Sequence, residues 1–154
     1  MTVSSFAEVD GIPGPAKTKG FENMIELFEF NYRVKLPTDP RDGKITGRRK
    51  HDYFTITHEP GKHSPSFIKH LCDNLEIAKV TIHHNRPDEE NGDLIKYFVH
   101  TLEKVKVVNV ELFKYDTCDK ESEPFRDMEK ISMVAESITM ADTEGNEHTD
   151  SWES

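Results

Sequence analysis

The chain has 154 residues, 34% of them apolar and 32% charged, enough for one domain with its own core and too few for two comfortable ones. Its formal charge of −9 argues against a general nucleic-acid binder, which gains affinity by neutralising phosphates with Lys and Arg. No apolar run approaches the ~20 residues that span a bilayer, so membrane insertion is not expected.

Met1 to Ile12 carries no basic region, apolar block or small-residue cleavage motif, so no Sec signal is expected and synthesis is placed in the cytoplasm. Phe6 to Ile12 reads as a first short strand, ended by Gly11-Ile12-Pro13-Gly14-Pro15. Glu22 to Leu36 reads as a long strand with Phe28, Phe30, Tyr32, Val34 and Leu36 on one face. Ile25 and Leu27 are in the opposite phase, which calls for a register shift near Leu27 or for two covered faces. Residues 37–50 hold two Gly, two Pro and almost no apolar side chains, and read as an extended loop.

Phe54 and Ile56 alternate with Tyr53, Thr55 and Thr57 as in a half-buried strand, and Glu59-Pro60-Gly61 ends it. Ser64 is placed as the N-cap of a short helix and Pro65 at its first position. Phe67, Ile68, Leu71, Cys72 and Leu75 then form an apolar stripe at helical spacing, with Cys72 as a small core residue. Ala78 to Arg86 is a further strand, and Asn91-Gly92 marks a hairpin. Leu94 to Phe113 is too long for one flat strand and changes phase, so a bend near Glu103-Lys104 is expected, with a crossing to a second sheet. Asp116 to Pro124 reads as a polar loop and Phe125 to Met140 as the last strand region. The ending, 142–154, has five acids and no Lys or Arg; it reads as a mobile acidic tail with Trp152 as its anchor. The pattern is mainly β: a two-sheet sandwich or small barrel with one short flanking α-helix, as a single domain over 1–141.

The chemistry-bearing residues form few constellations. His83 and His84 are adjacent on a strand and point to opposite faces, while His51 and His58, seven apart, do the same. His63 and His70 bracket the helix, and no HxxxH or HxH spacing occurs, so the histidines read as ordinary solvated ones and no metal site is assigned. The acidic turn from Asp88 to Asp93 fails the EF-hand pattern, since Gly92 is at its fifth position and Val99 at its twelfth. No GxSxG or Gly-rich phosphate loop occurs, so neither catalytic nor cofactor-binding residues are assigned. Cys72 and Cys118 form no CxxC pair, and Asp116, Asp119 and Glu121 beside Cys118 disfavour its thiolate. The basic cluster Arg41, Lys44, Arg48, Arg49 and Lys50 stands out against the acidic whole. It reads either as a solvated loop or as a patch complementary to an acidic surface, such as the acidic ending of a neighbouring copy.

Val9 to Gly14 (VDGIPG), the strand Glu22 to Leu36, the block Gly47 to Leu71 (GRRKHDYFTITHEPGKHSPSFIKHL) and Asp150-Ser151-Trp152 together resemble the haemolysin-coregulated protein (Hcp) family of type VI secretion systems. Gly14-Pro15-Ala16 departs from the family's usual Gly-Glu-Ser, and the loop 37–49 lacks its frequent Gly-rich run. The resemblance implies a structural, non-enzymatic β-barrel subunit without cofactor, assembling as a hexameric ring. It further implies ring stacking into a tube expelled with a spike protein by a contractile sheath, secretion without a signal peptide, sheath or baseplate contacts, and effectors carried in the channel. The competing expectation is a monomeric β-barrel that binds a small ligand.

Overall fold

The computed structural model describes residues 4–114, 116, 118 and 127–152. Eleven strands and one helix follow one another: β1 (Ser5–Val9), β2 (Ile25–Leu27), β3 (Glu29–Asn31), β4 (Val34–Lys35), β5 (Lys50–His51), β6 (Phe54–His58), α1 (Ser64–Cys72), β7 (Glu76–Pro87), β8 (Leu94–Phe113), β9 (Met128–Val134), β10 (Ser137–Asp142) and β11 (Glu147–Ser151). Nine strands share one hydrogen-bonded sheet in the order β2-β1-β7-β8-β9-β6-β3, with β10 on β8 and β11 on β10. Only β4 and β5 lie outside it, as a two-stranded ribbon. The mainly-β architecture with one helix is as the sequence pattern indicates. The expected crossing to a separate second sheet is not seen: β8 changes neighbours at its bend, but the strands on either side of the bend belong to one hydrogen-bonded sheet.

That ladder survives the length of β8 by bending. Lys104 takes φ +52°, a left-handed conformation unusual for a side-chain-bearing residue, at the bend expected from the phase change. Before the bend, β10 pairs β8 from Phe98 to Glu103; beyond it, β9 pairs β8 from Lys106 to Phe113. β9 and β10 are therefore one broken strand, parted at Ala135-Glu136 opposite the bend.

The expected long strand from Glu22 to Leu36 is three pieces. Ile25 and Leu27 face the core while Phe28 is 45% exposed, and Phe30 and Tyr32 then turn back to pack on the core. The register shift near Leu27 thus falls at Phe28, whose N–H donates to Thr57 O at 2.8 Å. β2 pairs β1 at one end of the ladder and β3 pairs β6 at the other, with Phe28 alone between them.

The core is one apolar cluster. Phe54, Ile56, Ile131, Met133, Val80, Ile82, Leu102 and Ile138 are all at 0% exposure, each placed by strand alternation. Phe67 of α1 completes the cluster, with Leu71 only partly buried against it. Ile68 and Leu75 are exposed and so is Cys72, so the stripe narrows to Phe67 and Leu71, and Cys72 is a surface thiol rather than a core residue. A nine-residue helix lying on a sheet buries a narrow strip, and apolar spacing alone overstates it. The N-cap is His63, not Ser64; Ser64 opens the helix and its Oγ accepts from Gly61 N–H at 3.0 Å.

Up to Trp152 the ending is ordered rather than the expected mobile tail. Glu147–Ser151 pairs β10 across five positions, and Trp152 packs on the rings of Tyr32 and His51, the anchor its composition suggested. Most of the polar loop and the start of the last strand region, residues 119–126, lie outside the described residues, as do Asp119 and Glu121; of the acids near Cys118, Asp116 accepts from the Cys118 N–H at 2.8 Å.

Candidate assembly surface

The extended loop of 37–50 is ordered as a ribbon that stands away from the core. β4 and β5 pair at Val34↔His51 and Lys35↔Lys50, Thr38 bridges Ile45, and Asp39 N–H donates to Lys44 O at 2.8 Å. Its apolar side chains point outward: Val34 is 43%, Leu36 50% and Ile45 63% exposed. Between Arg33 and Lys50 seven Lys and Arg face only two acids, so an otherwise acidic molecule carries one basic, partly apolar projection.

The five basic residues of the loop do not act as one group. Arg41 lies loosely on Asp39 at 3.5 Å with its side chain 90% exposed. Lys44, Arg48 and Lys50 are exposed and make no ion pair among the described residues. Arg49 turns inward and grips Asp150 of the same chain with two hydrogen bonds, of 2.6 and 2.7 Å. The acidic partner expected from a neighbouring copy is, for Arg49, the chain's own last strand.

This grip is part of a clasp in which sequence reasoning missed the parts of His51 and Tyr32. His51 Nε2 lies 2.8 Å from Asp150 Oδ2, and its Nδ1 lies 2.6 Å from the Tyr32 hydroxyl. The Arg49 and His51 hydrogen bonds hold the Asp150 carboxyl at about 2, well below its ordinary value. Burial, reinforced by the Asp150 charge, pushes the Tyr32 hydroxyl up to about 12, so it acts as a donor to His51. Trp152 stacks over His51 at 5.0 Å and closes the cluster. The result pins the base of the ribbon to the end of the chain. Asp150-Ser151-Trp152 was the only trace of it in the sequence.

The histidines are mostly not solvated. His58 and His63 are at 0% and 1% exposure, and His83 and His100 are buried as well. As strand geometry requires, His83 and His84 diverge: His83 faces Glu8 at 3.4 Å, while His84 Nε2 lies 2.9 Å from His100 Nδ1. His58 and Glu129 sit directly opposite each other on β6 and β9, on the same face as the apolar pair Ile56↔Ile131. His63 folds over them from the turn before α1, with its Nε2 3.0 Å from His58 Nδ1. Spacing along one element could not reveal this, since it joins two strands and a turn. Two open surface clefts, of about 580 and 630 Å³, are lined by Glu8, Asp10, Asn23 and Lys79 and by Asn31, Arg33 and Asp52 respectively.

The described residues thus form one packed β-sheet from which a basic, partly apolar ribbon projects. The sequence profile described as "Type VI secretion system effector, Hcp" matches residues 6–141. A major exported protein of Pseudomonas aeruginosa is 27% identical over all of this chain and 88% of its own length. The Hcp1 structure from E. coli EAEC 042 superposes with a TM-score of 0.82 at 27% identity, over 97% of each chain. A further Hcp crystal structure reaches 0.87 at 22% identity, over 98% of each, and supports the fold. The chain belongs to the Hcp family. It is a secreted structural protein, a tube protein of the type VI secretion system.

Proposed function

We propose that this chain curls its sheet into a closed barrel and joins five copies of itself in a hexameric ring, and that rings stack through the ribbon to build the tube. The observation that carries this reading is the ribbon itself. It exposes Val34, Leu36 and Ile45 together with Arg41, Lys44, Arg48 and Lys50, a mixture of apolar and basic surface that suits a protein contact better than free solvent. Barrel closure is supported by β2 and β3, the two ends of the ladder, being successive pieces of one run of chain. A head-to-tail contact that closes makes a ring, and one that repeats along an axis makes a tube. The role is mechanical and non-enzymatic, with spike, sheath or baseplate components and channel-borne effectors as partners. Export follows cytoplasmic synthesis and runs through the type VI apparatus itself.

Size-exclusion chromatography and negative-stain microscopy of the purified chain test this together. Several times the monomer mass and annular particles are expected. A monomer at high concentration with saturable binding of a small molecule would instead establish the competing reading; no cavity in the described residues favours it.

A further inference from the structure

Three polar side chains interrupt the apolar face of the β6–β9 pair. His58 and Glu129 are cross-strand partners at 0% exposure and His63 covers them at 1%. One ligating atom from each lies within 4.8 Å of the other two. His58 Nε2 approaches Glu129 Oε1 at 3.4 Å without completing a hydrogen bond. Four buried polar atoms find no hydrogen-bonding partner among the described residues: His58 Nε2, His63 Nδ1 and both Glu129 carboxylate oxygens. Each such atom is costly, and four in one place is far from what a packed core tolerates.

We propose that His58, His63 and Glu129 form a binding site for one divalent transition-metal ion, zinc by preference. Two imidazoles and one carboxylate, with no thiolate, suit zinc and its neighbours in the first transition row and are a poor set for magnesium or calcium, which require several oxygens. A cation among these atoms would satisfy donors that protein alone leaves idle and would neutralise a carboxylate otherwise stranded in an apolar core. The surroundings support the first ring of ligands. His58 Nδ1 lies 3.0 Å from both Glu59 O and His63 Nε2, contacts that orient the two rings and leave His58 Nε2 and His63 Nδ1 for the metal. The Ser64 hydroxyl stands beside Glu129, too loosely to satisfy either carboxylate oxygen. An entry route exists: a cleft of about 280 Å³ lined by Pro15, Lys17, Glu26, Phe28 and Glu59 reaches His63 from the surface. The metal would tie β6, β9 and the start of α1 together.

The test uses the untagged full chain, stripped with a chelator and titrated with zinc chloride, then with cobalt chloride. One equivalent of zinc per chain, a raised thermal midpoint and visible cobalt absorption typical of four-coordination are expected. Glu129→Gln and His63→Gln should each lower zinc affinity at least ~100-fold, while His148→Gln, at an exposed site, should not. If Glu129→Gln fails to fold, His63→Gln, beside the cleft, decides alone. Absence of stoichiometric binding to the wild-type chain, or binding undiminished in the folded variants, overturns the site.

Discussion

His100 is shut away from water among His84, Phe30 and Phe98, and burial, with the nearby His84, holds its pKa down at about 4. Ser5 and His84 supply a hydrogen-bond chain that is consistent when both rings are neutral: Ser5 O–H to His84 Nδ1 at 3.0 Å, then His84 Nε2–H to His100 Nδ1 at 2.9 Å. The unfolded chain protonates His100 near its ordinary value of about 6.5, so below that pH the unfolded state takes up the proton first. The stabilisation is fully present above about pH 6.5 and disappears as pH falls towards 4. Between pH 7 and 5 the wild type should lose about 1–2 kcal/mol from this group. Urea denaturation of His100→Gln should show a shallower pH dependence across that window; an unchanged slope would remove His100 from the account. These residues were invisible as a cluster in the sequence because a histidine's solvation depends on which strands flank it, and pairings such as Phe98↔His84 join positions far apart in the chain.

At the scale of elements, the bend in β8 and the helix stripe make opposite points about legibility. The phase change of apolar residues across Glu103-Lys104 revealed the bend directly, since alternation cannot skip a residue without turning the strand. Yet the same phase change also fits a passage to a separate second sheet, whereas β10 and β9, which pair with β8 before and beyond the bend, stay in one hydrogen-bonded sheet. Lys104 is a residue in a glycine conformation, and its contact with Glu136 at 3.3 Å joins two side chains about 60% exposed, so little is lost with it. Lys104→Gly should therefore leave stability unchanged or raise it by up to about 1 kcal/mol, and Lys104→Val should lower it, as judged by denaturant midpoints. On the helix, Phe67→Ala should cost about 3–5 kcal/mol, whereas Leu71→Ala should cost less because Leu71 is only partly buried. Equal losses for the two would mean that the stripe is buried as deeply as its spacing suggested. Spacing identifies which side of a helix is apolar. How much of that side is covered depends on the partner surface, which here is β8.

For the whole molecule the decisive feature is an uneven field: net charge −9 with a basic ribbon projecting from one place. Identical acidic bodies repel, so attraction between ribbon and an acidic neighbour must offset repulsion between bodies if rings are to stack. Both terms act over distances that salt screens, about 8 Å at physiological ionic strength. In the wild type, stacking that uses Lys44, Arg48 and Lys50 as its positive partners should weaken as salt rises. Arg48→Glu with Lys50→Glu turns that attraction into repulsion while leaving the Arg49–Asp150 clasp intact, so folding should change by no more than about 0.5 kcal/mol. Its residual stacking should then strengthen with salt, because screening now relieves repulsion and the apolar contacts of Val34, Leu36 and Ile45 remain. Sedimentation across a salt series reads both slopes. Slopes of opposite sign assign the ribbon to assembly through its charge, and parallel slopes return Arg48 and Lys50 to the solvated surface.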